Sequence, residues 1–338
     1  MKRISKLLIA TCMIAVSVGM IIGCSKDDIN ISVGNEQGQN TGGSGGSDST
    51  SGNNTDSTKT KAKLFFDANV YDLFTKVASM SPIAEGRYVT AYAYNGSSLV
   101  TSVMYESETA GTLTPTGTST APMLLTTGTY NLYAPGVNTP AGTAVPVFSG
   151  TTLSTGLQNN IDYIWWGKTG LVVEGSSQNL DMNLQHCCIQ VVIQLINSDG
   201  VTLSGTPTMS ITPSATGTNV WTLTNGTISP STSLATADMA MNATSSTSNG
   251  VTSYYGQVIM MPLQMTGNMT AKFTITVNGQ SRDYQVLLPV YQNNMQAGYS
   301  YRYQVEFSNN EVTFNNTVNV ISWVPVDATN TPIIPSQI

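Results

Sequence analysis

A single histidine, His186, stands in the 338-residue sequence. That excludes metal sites built on several imidazoles and leaves one ring for activating any nucleophile. Charged residues make up 9% of the chain, against roughly a quarter in ordinary globular proteins. The balance is acidic, with a net charge of −6 and an isoelectric point near 4.7. Nucleic acid is therefore not an expected partner, because a phosphate backbone calls for a basic face. Of the four cysteines, Cys12 and Cys24 lie at the N-terminus and only Cys187 and Cys188 lie beyond it, so there is no disulfide framework. Cys187 and Cys188 are adjacent, and Cα atoms about 3.8 Å apart are too close for an ordinary disulfide. At least one of these thiols is expected to pack in a core. A phosphate-cradling GxxxxGK[ST], a GxGxxG after a strand and a calcium-binding EF-hand loop are all missing. The acids are sparse, and no spacing singles out a pair for glycoside hydrolysis. His186 beside two thiols raises the idea of a Cys–His dyad, but neighbours on a strand face opposite ways and no orienting acid is close in sequence. A structural hydrogen bond is the expected role of His186. No catalytic residue, cofactor or metal is expected.

What is present begins at the N-terminus. Lys2, Arg3 and Lys6 precede an apolar run over residues 7–22. The run is short for a membrane span and reads as a signal peptide, residues 1–23. Ile21-Ile22-Gly23-Cys24 resembles the lipobox of bacterial lipoproteins, with Ile22 where Ala or Ser is commoner. On that resemblance Cys24 is the lipidated first mature residue, and each buried acyl CH₂ contributes about 0.8 kcal/mol of anchoring. Ser25-Lys26-Asp27-Asp28 resembles the acidic signal that sends Bacteroidetes lipoproteins to the outer face of the outer membrane. Residues 24–60 are mostly Gly, Ser, Thr, Asn and Gln, a composition that cannot offset its ordering entropy, so they read as a flexible linker. Within it, Asp48-Ser49-Thr50 and Asp56-Ser57-Thr58 match both an O-glycosylation acceptor and a plain polar tether. Gly42-Gly43-Ser44-Gly45-Gly46 has the letters of a nucleophile elbow without the strand and helix that would make it one.

Beyond Lys61 the pattern is strand after strand. In residues 299–307, Tyr299, Tyr301, Tyr303, Val305 and Phe307 alternate with polar residues, the mark of a half-buried strand. Asn95-Gly96, Asn225-Gly226 and Asn278-Gly279 mark turns. Helical periodicity is absent, apart from one short helix expected over residues 237–243. The fold class is all-β, built as sandwiches or barrels. Apolar positions are even at Leu180, Met182 and Leu184 and odd from Ile189 onward, so a bulge or bend is expected at His186-Cys187-Cys188. Asn197-Ser198-Asp199-Gly200 is the expected boundary between an N-terminal domain, residues 61–196, and a C-terminal domain, residues 197–338. Trp165-Trp166 on a strand should bury one ring and expose the other, which makes Tyr163 with Trp166 the candidate ligand-stacking surface.

Several segments, in order, resemble the fimbrillin family, the subunits of Bacteroidetes outer-membrane pili. They are Lys63-Leu64-Phe65-Phe66-Asp67 with Thr75-Lys76-Val77, the Gly128–Ala134 stretch GTYNLYA, and Asp162-Tyr163-Ile164-Trp165-Trp166-Gly167. Leu184-Gln185-His186, Gly298-Tyr299-Ser300-Tyr301 and Val320-Ile321-Ser322-Trp323 complete the series. The resemblance implies two tandem transthyretin-like Greek-key β-sandwich domains. It also implies a structural and adhesive pilus subunit, cut by a trypsin-like protease beyond the first strand. A strand from the next subunit then fills the opened groove, an instance of β-augmentation. Candidate processing sites are Lys76, where the family usually has Arg, and Arg87, which reads as lying in an exposed loop. The candidate donor strand carries Val318, Val320 and Trp323. The implied partners are other pilus subunits, the outer membrane through the lipid anchor, and a host or bacterial surface ligand. The competing expectation is a monomeric surface-exposed glycan-binding lipoprotein. Replacing Cys24 by Ala is expected to move the protein from the membrane to the soluble fraction; fractionation of expressing cells that left the variant membrane-bound would disprove the lipid anchor.

Overall fold

The computed structural model describes residues 60–71, 79–118, 120–139, 143–197, 200–216, 218–248, 251–307 and 312–322, the last segment by its backbone. The first ten strands are β1 (Lys61–Tyr71), β2 (Met80–Pro82), β3 (Tyr88–Asn95), β4 (Ser98–Thr109), β5 (Thr112–Pro115), β6 (Met123–Thr126), β7 (Gly128–Val137), β8 (Thr152–Leu153), β9 (Tyr163–Val173) and β10 (Gln178–His186). There follow β11 (Ile189–Asn197), β12 (Leu203–Thr212), β13 (Ser214–Ala215), β14 (Trp221–Thr222), β15 (Leu234–Ala235), β16 (Met239–Ala240), β17 (Asn242–Ser248) and β18 (Val251–Met260). The last described strands are β19 (Leu263–Gln264), β20 (Asn268–Val277), β21 (Gln280–Pro289), β22 (Asn294–Met295), β23 (Tyr299–Phe307) and β24 (Val312–Ser322). The fold is all-β.

The first sheet runs β10-β9-β7-β3-β4-β5-β1-β2, and β1 also pairs with β6 and, in parallel, with β10. The ladder therefore returns on itself through β1. Its corners are narrow: β9 and β10 share only Gln185↔Trp165 and His186↔Ile164, and β1 and β5 share Phe66↔Leu113 and Asp67↔Thr112. Short pairings and register shifts let a twisted sheet fold over and enclose one core. Strict alternation supplies that core. Ala62, Leu64, Phe66, Ala68 and Val70 of β1 point inward, and Phe66 meets Tyr105 edge-on at 5.1 Å.

Two further sheets, β17-β18-β11-β23-β24 and β16-β12-β20-β21, bury their inner faces in a second core. Phe273 and Tyr284 on one side pack against Phe307 on the other. The β20–β21 hairpin turns at Asn278-Gly279, both with positive φ, as the sequence led one to expect. The expected bend at His186-Cys187-Cys188 is present and larger than a bulge. The chain leaves the first sheet after His186 and enters another at Ile189, where β11 pairs with β18 and, in parallel, with β23. Sheet membership thus changes at Cys187-Cys188, ahead of the division expected after residue 196, because the phase flip marks a change of sheet. The helix expected over residues 237–243 is absent, and Met239–Ala240 (β16) and the start of β17 are strand instead. Ladder partners on β12 and β18 outweigh a weak local helix preference.

Residues of the first half of the chain join the second core around Trp221, which is 0% exposed. Phe148 and Tyr163 from the first half each lie 5.3 Å from its ring, and β14 pairs with β8 across the same junction. Trp165 Nε1 donates to the Leu223 carbonyl, and its ring covers Gly226, where a Cβ would collide with it. Truncating Trp221 to Ala removes the ring that both halves share; the expected loss is about 3–5 kcal/mol of unfolding free energy. Denaturant unfolding would check it, and a loss under about 1 kcal/mol would contradict this account.

Candidate assembly site

Strand β1 and the contacts at its C-terminal end form the most specific constellation of the described residues. Its inner face is apolar. Its outer face carries Lys61, Lys63, Phe65, Asp67 and Asn69, of which Phe65 is 42% exposed. Parallel pairing with β10 runs from Leu64↔Gln178 to Val70↔Leu184 and stops there. One step on, a side chain takes over from the backbone: His186 Nε2 lies 2.8 Å from the Tyr71 carbonyl oxygen. The other ring nitrogen, Nδ1, lies 2.7 Å from Asp162 Oδ1. Both ring nitrogens thus face oxygens, an arrangement that the doubly protonated ring satisfies with two N–H donors. His186 and Asp162 are 3% and 2% exposed.

Asp162 is itself braced. Asn138 Nδ2 donates to Asp162 Oδ2 at 2.9 Å, and the Asn138 backbone N–H donates to the Asp162 carbonyl at 2.8 Å. The Asp162 N–H donates to Thr139 Oγ1 at 2.9 Å. Asn138 in turn accepts at its carbonyl from Arg87 Nε, 3.0 Å away. A continuous polar chain therefore links Tyr71, His186, Asp162, Asn138 and Arg87. Sequence reading placed His186 correctly as a hydrogen-bonded structural residue. It missed Asp162 as the partner, because the two are 24 residues apart and meet only where β9 and β10 pair at the sheet corner. The only advance signal was that Asp162 opens one of the segments quoted above. Burial pushes the Cys187 and Cys188 thiols well above their ordinary range. Cys188 adds to the rise at Cys187, and Asp162 adds at both. They stay protonated, and neither is bonded to the imidazole, so the Cys–His dyad is not assembled.

The other predicted site residues divide as follows. Arg87 is half-buried at the end of the turn between β2 and β3, in which Ala84 and Glu85 are exposed. Its Nη1 donates to the Glu85 carbonyl at 3.4 Å, and its own carbonyl accepts from the Ser107 N–H at 2.9 Å. Tyr163 is 1% exposed, its hydroxyl accepting from the Gln158 N–H at 3.1 Å. It offers no face to a sugar. Trp165 and Trp166 are both partly buried, one against each core, because β9 runs between the two; the expected buried-and-exposed pair does not form. Val318 and Val320 lie on β24, paired with Tyr303 and Tyr301 of β23, so that segment completes its own sheet here. Cys24, Lys76 and Trp323 lie outside the described residues. Among the described residues no cluster of three or more His, Cys, Asp or Glu could hold a metal ion.

The profile of the fimbrillin-like family, a class of fimbrial and adhesive subunits, matches residues 75–323, and the chain belongs to that family. Among solved structures it resembles a candidate cell adhesion protein from Bacteroides ovatus, at 14% identity and a TM-score of 0.57, over 78% of this chain and 99% of that one. A second such protein, from Bacteroides uniformis, matches at 15% identity and a TM-score of 0.51, over 78% and 99% of the two chains. A third, from Bacteroides fragilis, matches at 15% identity and a TM-score of 0.51, over 80% and 100%. At this identity the likeness speaks for the fold. No curated protein matches the chain.

The buried tyrosines give a pH test of this packing. Burial pushes Tyr105, Tyr163 and Tyr301 up to about 12, from 10.0. A raised value means that the neutral phenol is favoured by folding. The stability it contributes is complete below pH 10 and falls as pH rises toward about 12. Absorbance titration should show these phenols ionising late and together with loss of fold; ionisation of all tyrosines near pH 10 with the fold intact would contradict the burial.

Proposed function

We propose that the chain is a structural and adhesive subunit of a cell-surface fimbrium, assembled by strand exchange after proteolysis beyond its first strand. The observation that carries this reading is the placement of β1. It is the first described strand, it lies inside the closed ladder, and every inward residue is apolar. Removing it would leave the β10 edge and the side chains of Leu180, Met182, Leu184 and Leu113 facing an empty groove. Each large apolar side chain of β1 contributes about 1.5–3 kcal/mol through burial, so the groove would bind a replacement strand of the same alternation. A cut after Arg87 would take β1 and β2 away together; a cut after Lys76 would take β1 alone. Either would separate Cys24 from the body. On this reading a processed subunit joins the polymer and an unprocessed one stays at the outer membrane through its lipid.

The donor is proposed to be the segment containing Val318, Val320 and Trp323 of a neighbouring subunit. Because β24 pairs with β23 in the isolated chain, donation would exchange one antiparallel ladder for another. Two tandem transthyretin-like sandwiches, meeting at Cys187-Cys188, are the architecture that this assembly would string together. The partners are other fimbrial subunits, the outer membrane and a surface ligand; catalysis and a cofactor play no part. The monomeric glycan-binding alternative loses its platform with the burial of Tyr163.

Limited trypsin treatment of the mature protein tests the reading. The expected result is a new N-terminus at Tyr88 or Val77, with fibres by electron microscopy and SDS-resistant ladders. Cuts confined to the linker, or a single cut beyond β1 that leaves only monomers, would defeat it.

A further inference from the structure

We propose that His186, Asp162 and Asn138 form a polar latch that keeps the end of the first strand and the Arg87 peptide bond closed together, so that strand release and cleavage after Arg87 are coupled. The reading rests on the proposed function only for what release accomplishes; the latch itself is defined by its contacts. These three are positioning residues, acting on Arg87 and Tyr71 from behind.

A trypsin-like protease must draw the arginine side chain into its own pocket and hold the flanking backbone extended. In the folded protein both are engaged in hydrogen bonds. The guanidinium is held by the Asn138 and Glu85 carbonyls, and the carbonyl that would be attacked is bonded to the N–H of Ser107, a residue 0% exposed. Gly86 N–H also donates to the Ser107 carbonyl at 2.8 Å. Local opening must precede the cut.

That opening is tied to β1 by two routes. The polar route runs from Arg87 through Asn138 and Asp162 to His186 and the Tyr71 carbonyl. The backbone route runs through β2, which pairs with β1 at Asn69↔Pro82 and Tyr71↔Met80, and on through Ile83 N–H donating to the Ala68 carbonyl at 3.0 Å. Gly111 closes the corner, donating to the Ile83 carbonyl at 3.0 Å and accepting from Ala68 N–H at 2.7 Å. The strand end and the arginine turn are braced by the same buried pair, whose low-dielectric setting makes its bonds strong and their loss costly. Disturbing either end should loosen the other, because coupling between two sites is reciprocal.

Two variants of the full mature chain test this, with trypsin cleavage and hydrogen–deuterium exchange as separate readouts. Asp162→Asn keeps the shape and removes the charge; Arg87→Lys keeps a trypsin site and removes the donor to Asn138. Asp162→Asn does not touch Arg87, yet it is expected to speed cleavage after residue 87 by about tenfold. Arg87→Lys is expected to speed exchange of the Ala68–Tyr71 amides several-fold. In both, β11 and β23 should keep wild-type protection. The proposal is overturned if either cross-effect is missing, or if Asp162→Asn loosens all sheets equally, which is what a merely structural pair would do. Fibre formation is scored apart from this. Cross-effects without fibres from any cut protein would uphold the latch and defeat strand exchange; fibres without cross-effects would do the reverse.

Discussion

The first half of the molecule closes only because β1 occupies the gap between β10 and the β5–β6 edge. Without it the circuit of strands has two open edges and a core missing Leu64, Phe66 and Val70. Unpaired strand edges invite pairing by other chains, and natural sheets ordinarily cover them. Here the cover is the first described strand, so the piece that completes the fold is also one that a single cut beyond it would separate from the rest. Parallel pairing with β10 places the two strand ends side by side. That is why one side chain, His186, can reach the Tyr71 carbonyl as the ladder stops.

The second dependence is the crossover at Cys187-Cys188. Both thiols are buried, and the chain changes sheet there without a loop. Strand β11 then sits between β18 and β23, covered on both faces over its first residues, Gln190 and Val192 included. Together with the rings from both halves packed around Trp221, this joins the two halves of the described chain without a polar linker. Disturbance in one is transmitted to the other by packed rings and not by a tether.

Some of this was legible beforehand. The alternation of residues 299–307, the Asn278-Gly279 turn and the phase change at His186 each describe the backbone locally, and each is found where the sequence put it. The reading went astray where distance decided. Arg87 lies in the turn after β2, but nothing local told that Asn138 and Ser107 arrive from elsewhere to bind it. Tyr163 looked like half of a platform, but Trp221, far along the chain, covers it. The residues 237–243 have the composition of a short helix until β12 and β18 offer them ladders.

By itself the sequence determined the all-β class, the lack of multi-histidine metal chemistry and the family. The first two follow from period-two patterning and composition, which depend on near neighbours along the chain, and the family from its resemblance to a series of short segments in order. Only the tertiary structure decided that His186 meets Asp162, that the arginine turn is held shut, and that sheet membership changes at two adjacent cysteines. Such pairings join residues dozens of positions apart. Nothing in a strand's own alternation says which other strand it will lie beside, because many neighbours can bury the same apolar face.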